Sequence, residues 1–160
     1  MPASANRPAT TTSDREIVIT RVFDAPRELV FEAWTNPKHV PQWWGPRGFT
    51  TTMIEMDVRP GGVWRFIMHG PDGTDYKNKI VYHEVVKPER LAFAHGGDGD
   101  PEDKPFQVTV TFVEEAGKTR LTMRSVFDTV EQCNEVKSFG AVEGGNQTLD
   151  RLGEHLAKMR

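Results

Sequence analysis

The sequence is poor in cysteine, in excess basic charge and in long apolar runs, and each shortage excludes a class of protein. Its single cysteine, Cys133, rules out a disulfide within the chain and any metal site built from several thiolates. The 20 Lys and Arg residues are outnumbered by 23 Asp and Glu residues, so we expect no basic surface for nucleic acid. No apolar run approaches the roughly 18 residues that span a bilayer, and the N-terminus lacks the charged-then-apolar pattern of a secretory signal. We therefore expect a cytoplasmic protein with no membrane span.

The first residues of the chain differ in composition from the rest. Residues 1–15 are small, polar and proline-bearing, and such a segment cannot repay its ordering entropy by burial. We predict a disordered tail there and a single domain over residues 16–160. Hydrophobic residues make up 37% of the chain, which is enough to build one core over this length.

Most of the domain has the pattern of β-strands separated by turns. Runs rich in β-branched and aromatic residues, such as EIVITRVF, alternate with turn residues such as Pro60-Gly61-Gly62. This pattern predicts an antiparallel sheet of about six or seven strands. Two short helices are predicted after the first strand, in PRELVFEAW and PKHVPQWW. Apolar residues recur at helical spacing from Phe139 to Met159, which predicts a long C-terminal helix and an α+β fold.

Four segments of the sequence resemble one protein superfamily. They are TRVFDAPRELVFEAWTNPKHVPQWWGP, DVRPGGVWRF, HEVVKPERLAF and EGGNQTLDRLGEHL. Together they resemble the START-like helix-grip superfamily, also called SRPBCC, in the branch of the C-terminal domain of the activator of heat-shock-protein ATPase. The resemblance covers about Glu16 to Met159. It implies a curved sheet wrapped around a long C-terminal helix, roughly Glu143 to Lys158 here, with an apolar cavity between them.

The resemblance also implies a range of functions and one local difference. The superfamily includes lipid and hormone carriers, aromatic polyketide cyclases and stress-response proteins, so the fold alone does not decide the function. Many relatives have a tryptophan after the glycine that is Gly144 here, whereas this sequence has Gly145. The missing indole is expected either to enlarge or open the cavity, or to allow close packing.

Two adjacent tryptophans, Trp43 and Trp44, precede the turn Gly45-Pro46. In the family arrangement this segment lies near the open end of the cavity, and we expect one indole to point inward while the other stays partly wet. The alternative is that both rings fill the core. Same-face alternation along the strands and the C-terminal helix supply further candidates. The predicted ligand-binding residues are Trp43, Trp44, Trp64, Phe66, Met68, Tyr76, Asn78, Tyr82, Phe93, Phe106, Gly145 and Leu149.

The sequence assigns no catalytic residue. Glu84, His95 and Tyr82 are candidates for an acid or base, and Glu84 and His95 could form a pair on adjacent strands. No nucleophile-elbow or Ser-His-Asp pattern is present, and the five histidines lack metal-ligand spacing. We therefore predict a protein, more readily a binder than an enzyme, that holds a small apolar or aromatic molecule without a cofactor or metal.

Two alternatives stay open. The first is a protein-interaction module that contacts a chaperone, as the resemblance to the ATPase activator implies. The second is a cyclase- or hydrolase-like enzyme that uses the acid and base candidates of its pocket. The binding prediction itself covers a carrier, a sensor or a stress-related role, and either a monomer or a homodimer.

Overall fold

The computed structural model describes residues 9–99 and 104–159. Its strands are β1 (Ala9–Thr12), β2 (Glu16–Phe23), β3 (Thr50–Met56), β4 (Val63–His69), β5 (Asp75–Val86), β6 (Arg90–Gly97), β7 (Phe106–Glu115) and β8 (Lys118–Val126). Its α-helices are α1 (Arg27–Thr35), α2 (Val130–Ser138) and α3 (Ala141–Met159), and a 3-10 turn covers Val40–Gln42. Within these ranges no helix is both long and apolar enough to cross a membrane.

The strands form one curved antiparallel sheet in the order β1-β2-β8-β7-β6-β5-β4-β3. The chain passes from β2 to the opposite edge of the sheet through α1 and the 3-10 turn, and β3 to β8 then follow as a meander back to β2. The long helix α3 packs against the sheet through β2. The predicted α+β helix-grip fold is confirmed, with eight strands in place of six or seven.

The additional strand is β1, which lies inside the predicted N-terminal tail. Ala9–Thr12 pairs with residues 17–20 of β2. The structure thus differs from the predicted disordered tail at these residues. Consecutive threonines favour extended backbone, and the free edge of β2 offers unpaired N–H and C=O groups to them. Residues 1–8 of the predicted tail lie outside the described residues.

The first helical region contains one helix and one turn rather than two helices. Helix α1 begins after Pro26, whose backbone is extended, and ends at Asn36, before Pro37. Its inner face buries Val30, Phe31, Ala33 and Trp34. The second predicted helix is only the 3-10 turn, because Pro41 has no N–H to donate and cannot continue an α-helix.

The C-terminal region forms two helices. Thr129 caps α2 by accepting a hydrogen bond from the backbone N–H of Gln132 at 3.0 Å. Gly140 then adopts φ +82°, a left-handed conformation that ends the helix without the strain a side chain would add. Phe139 was predicted on the apolar face of a single helix, but this break leaves it 82% exposed.

Helix α3 extends slightly beyond the predicted span of Glu143 to Lys158 at both ends. Its apolar stripe faces the sheet, as the helical spacing predicted. The side chains buried on this stripe are Leu149, Leu152, His155 and Leu156.

A β-bulge in β5 decides which side chains of this strand face the core. Its pairing with β6 shifts between Tyr82 and Glu84, so that Val85 lies opposite the buried Leu91. Strict alternation placed Tyr82 and Glu84 on the same face, and this is wrong for Glu84. The additional residue turns Glu84 outward, where its Oε1 lies 3.4 Å from Nη2 of Arg90.

Candidate functional site

A cavity of about 360 Å³ lies between the inner face of the sheet and the junction of α2 and α3. Its apolar lining is Ile17, Ile19, Trp34, Trp44, Pro46, Met68, Phe93, Phe106, Val108, Met123, Phe127, Val136, Phe139 and Ala141. Its polar side chains are His95, Ser125 and Thr148, and four glycines complete the wall, Gly45, Gly140, Gly144 and Gly145. None of these lining residues is Asp, Glu, Lys or Arg. The site therefore has apolar walls with a few polar groups, as small-molecule pockets do.

His95 is held in one orientation by a chain of two hydrogen bonds. Its Nε2 lies 3.0 Å from Oδ1 of Asn78, and Nδ2 of Asn78 donates to the backbone carbonyl of Tyr76 at 3.0 Å. Rings surround the imidazole, with the centroid of Phe106 at 5.1 Å and that of Trp44 at 6.4 Å. Burial lowers the pKa of His95 from 6.5 to about 4, so the imidazole is neutral at pH 7.

The two hydroxyl groups that line the cavity, those of Thr148 and Ser125, differ in their surroundings. Thr148 Oγ1 donates to the backbone carbonyl of Gly144 at 2.8 Å, which leaves its oxygen lone pairs as acceptors. Ser125 lies on β8 opposite Ile17 and Val108, both of which line the same wall. These hydroxyls and His95 are the means by which the cavity can orient a ligand.

Both tryptophans after α1 are buried, so neither is the partly wet indole expected from the sequence, and they have different roles. Trp43 is fully buried, and its Nε1 donates to the backbone carbonyl of Ala33 at 3.0 Å. Trp44 is 8% exposed and lines the cavity, with its ring centroid 5.6 Å from that of Trp34. Trp43 thus fixes the turn to α1, while Trp44 forms part of the wall.

Arg151 of α3 fixes the same turn from the other side. Four backbone carbonyls lie within hydrogen-bond distance of its Nη1 and share its two N–H groups, and its Nη2 donates to a fifth, that of Gln42, at 3.4 Å. The Nη1 acceptors are Trp44 (3.4 Å), Gly45 (2.8 Å), Pro46 (3.2 Å) and Phe49 (3.1 Å). Burial lowers the pKa of Arg151, and the positive charge of Arg47 acts in the same direction. One guanidinium therefore holds the tryptophan turn against the helix that closes the cavity.

Gly145 provides space where α3 faces the sheet. A Cβ at this position would lie 2.8 Å from Cδ1 of Ile19 and 3.8 Å from Cε of Met123, and both residues line the cavity. A side chain here would displace Ile19. The glycine therefore contributes both to close packing and to the open volume, the two possibilities that the sequence left open.

A second cleft, of about 540 Å³, runs between β2 and α3 and has five charged residues in its lining. Four of these residues form ion pairs, Nη1 of Arg21 with Oδ1 of Asp150 at 2.7 Å and Arg47 with both carboxylate oxygens of Glu154. These pairs already neutralise the charges, so a charged ligand would gain little there, although Nε of Arg21 is buried without a hydrogen-bond partner. The apolar cavity is the better candidate site.

Comparisons with known proteins agree with this architecture. A family model described as "Activator of Hsp90 ATPase homolog 1-like protein" matches residues 24–157. The chain belongs to this family. The match also confirms the resemblance to the helix-grip superfamily.

Solved structures of similar proteins cover nearly the whole chain. Protein Ms6760 from Mycobacterium smegmatis is 26% identical, with a TM-score of 0.85 over 97% of this chain and 99% of that chain. A protein from Arthrobacter aurescens is 25% identical, with a TM-score of 0.87 over 94% of this chain and 91% of that chain. A protein from Staphylococcus epidermidis is 25% identical, with a TM-score of 0.83 over 95% of each chain. Among curated proteins, none matches.

In this family member the cavity brings together only part of the predicted ligand-binding set. The predicted residues that line it are Trp44, Met68, Phe93, Phe106 and Gly145. Trp43, Trp64, Phe66 and Tyr82 lie in the core behind the wall. Asn78 does not line the cavity but is hydrogen-bonded to His95, which does. Leu149 lines the second cleft. Tyr76 is 47% exposed, and its ring lies near that of Phe49.

The acid and base candidates do not form one centre. His95 lines the cavity, Glu84 is exposed on the outer face, and Tyr82 is buried away from the cavity lining. Burial raises the pKa of Tyr82, so its hydroxyl stays protonated at pH 7. Among the described residues, no group of three His, Cys, Asp or Glu side chains is placed to hold a metal ion.

One polar chain that the sequence pattern missed lies on the outer face. His69 accepts or donates at both nitrogens, with Thr52 Oγ1 at 2.7 Å and Asp75 Oδ1 at 2.7 Å. These residues come from three adjacent strands, which linear spacing could not reveal. They line neither the cavity nor the cleft and give no support to an enzymatic site there.

Proposed function

We propose that this protein binds a small apolar or aromatic molecule between the sheet and α3, as a carrier or sensor. The observation that carries the proposal is the cavity of about 360 Å³, lined by aromatic and aliphatic side chains of the sheet, the tryptophan turn, α2 and α3. Water gains few hydrogen bonds in such a space, whereas an apolar molecule gains contact on every side.

The size of the cavity indicates the size of the molecule. An engineered apolar cavity of about 150 Å³ in another protein takes up benzene. The cavity described above is more than twice as large, at about 360 Å³, and suits a compound of roughly two fused rings. Trp34, Trp44 and Phe106 offer faces and edges against which such rings can pack.

Native mass spectrometry of the freshly purified protein tests the proposal, with its denatured mass as the reference. We expect a retained small-molecule adduct, or an adduct that forms on addition of 2-methylnaphthalene. Ser125→Phe places a ring in the void without removing existing packing, and should abolish the adduct. Thr122→Phe places the same ring on the outer face of the same strand, and should leave the adduct unchanged.

Two results would contradict the proposal that the cavity binds a small molecule. Wild-type protein that carries no adduct and acquires none from 2-methylnaphthalene would contradict the proposal. Equal adduct formation by wild type, Ser125→Phe and Thr122→Phe would place binding outside the cavity and contradict it as well.

The description of the matched family supports a second candidate function, which is contact with a chaperone. Large exposed apolar side chains are present, but Ile54 lies on β3, Val113 on β7 and Phe139 between α2 and α3. A chaperone ATPase assay tests this role, and unchanged ATP turnover on addition of the protein would exclude activation. The cytoplasmic location expected from the sequence remains a prediction.

A further inference from the structure

We propose that the ligand is an uncharged aromatic molecule with a hydroxyl or N–H group, and that Nδ1 of His95 accepts the hydrogen of that group. This inference rests on the proposed function, because it names the class of molecule that the same cavity takes. Hydrogen bonding, charge and ring packing around His95 each support it.

The hydrogen bonds of Asn78 fix the tautomer of His95. The carbonyl of Tyr76 can only accept, so it fixes the amide of Asn78 with Nδ2 toward Tyr76 and Oδ1 toward His95. Oδ1 in turn can only accept, so Nε2 of His95 carries the hydrogen. In a neutral imidazole the other nitrogen then has a lone pair. Nδ1 is therefore an acceptor, to which a ligand with an O–H or N–H group can donate.

The charge of the lining also restricts the ligand. Among the described residues, none that lines the cavity is Asp, Glu, Lys or Arg, and burial keeps His95 neutral above about pH 4. A charged ligand would lose its hydration without gaining an ion pair, which is unfavourable. The cavity therefore discriminates against carboxylates and ammonium groups in favour of neutral molecules.

The rings around His95 favour a flat ligand. The imidazole lies beside Phe106 and Trp44, at centroid distances of 5.1 Å and 6.4 Å. A flat molecule that packs against these rings can bring a hydroxyl on its edge to the imidazole. Thr148, on α3, donates its hydrogen to the backbone carbonyl of Gly144, so its oxygen is a further acceptor in the cavity. A phenol-like ligand can pack its ring against Phe106 and Trp44 and donate its hydroxyl hydrogen to one of these acceptors.

Three probes of similar shape test the inference by calorimetry at pH 7. They are 2-naphthol, which has a hydroxyl donor, 2-methylnaphthalene, which has none, and 2-naphthoate, which is an anion. We expect wild type to bind 2-naphthol about tenfold more tightly than 2-methylnaphthalene, the ratio that one net hydrogen bond provides. We expect no detectable binding of 2-naphthoate. In His95→Phe the preference for 2-naphthol should fall to about one.

A measurement on the wild type alone avoids dependence on that variant. Nitrogen-15 NMR of the imidazole should show the Nε2–H tautomer in the free protein. Addition of 2-naphthol should shift the Nδ1 resonance, and 2-methylnaphthalene should shift it much less. An Nδ1–H tautomer, or equal shifts with both probes, would overturn the inference.

The outcomes separate this inference from the proposed function. Equal affinity of wild type for 2-naphthol and 2-methylnaphthalene would overturn only the role of His95, because the cavity would still bind an aromatic molecule. Tight binding of 2-naphthoate would overturn the requirement for a neutral ligand. Failure of every probe to bind would overturn both proposals.

Discussion

His95 is a titratable side chain set among aromatic rings, and its surroundings oppose protonation. Its pKa falls from 6.5 to about 4 on folding because burial disfavours the imidazolium ion. Between these two pH values the unfolded chain binds a proton at His95 and the folded chain does not. The free energy of unfolding therefore decreases as the pH falls from 6.5 toward 4, and above pH 6.5 His95 has no such effect.

The variant His95→Phe isolates this contribution. Relative to the variant, wild type should lose up to about 3 kcal/mol of unfolding free energy between pH 7 and pH 4. Urea unfolding of both proteins across this range measures the difference. His155, whose pKa is also lowered by burial, is present in both proteins and cancels. A difference that stays constant with pH would show that His95 has an ordinary pKa.

Arg151 should be important for stability because its guanidinium satisfies several backbone carbonyls of one turn. Arg151→Met keeps much of the apolar stem but removes every donor. We expect a loss of about 2–3 kcal/mol in unfolding free energy, as for hydrogen bonds to a charged group. A red shift of tryptophan emission should accompany it as the turn around Trp44 loosens.

Arg47 supplies the matched control for Arg151. Arg47 pairs with Glu154 in solvent, and exposed ion pairs of this kind contribute little to stability. Arg47→Met should therefore leave both the urea midpoint and the emission spectrum nearly unchanged. Equal destabilisation by the two substitutions would refute the role assigned to the Arg151 hydrogen bonds.

At the scale of the element, α3 contains three glycines, and two of them, Gly145 and Gly153, have contrasting surroundings. A Cβ at Gly153 would meet Phe23 at 3.6 Å and 3.7 Å, which is ordinary contact, whereas a Cβ at Gly145 would lie 2.8 Å from Ile19. Gly153→Ala should gain most of the helix propensity of alanine, about 0.5–1 kcal/mol. Gly145→Ala should gain less because Ile19 must move, and it should also weaken binding of 2-methylnaphthalene.

Thermal unfolding and calorimetry of the two alanine variants test this contrast. Gly153 lies outside the cavity, so Gly153→Ala should bind the probe as wild type does. If both substitutions stabilise the protein equally and Gly145→Ala binds the probe as wild type does, Gly145 does not provide space for the ligand.

The elements themselves were predictable from the sequence to the extent that local patterns determine them. The β-branched runs predicted β2 to β8, and the helical spacing of Leu149, Leu152 and Leu156 predicted the buried stripe of α3. Alternation failed where a tertiary feature interrupts it. The β-bulge after Tyr82 turns Glu84 outward, and nothing in the local sequence fixes its position.

At the scale of the whole molecule, the cavity depends on contacts between segments far apart in the chain. Its wall includes Ile19 from β2, Trp44 from the turn, His95 from β6 and Gly145 from α3. The sequence indicated Trp44 and Gly145 through the family resemblance. It could not separate Trp44 from Trp43, because only the packing of Trp43 Nε1 against α1 determines which indole reaches the cavity.

The different roles of Asn78 and His95 were also not predictable from the sequence. The sequence suggested both residues, one as a direct ligand contact and the other as an acid or base. The pairing of β5 with β6 gives them different roles, because Asn78 orients the imidazole and His95 lines the cavity. These roles depend on the register between the two strands, which a single sequence does not reveal.

A methyl-resolved NMR titration with 2-methylnaphthalene tests the central claim most directly, because it reports both binding and position. The account predicts saturable shifts of the methyl groups of Ile17, Ile19, Met68 and Met123, which line the cavity. It predicts little change at Leu91 in the core or at Leu149 beside the second cleft. Absence of saturable shifts, or shifts centred on Leu149 rather than Ile19, would contradict the claim that this cavity is the binding site.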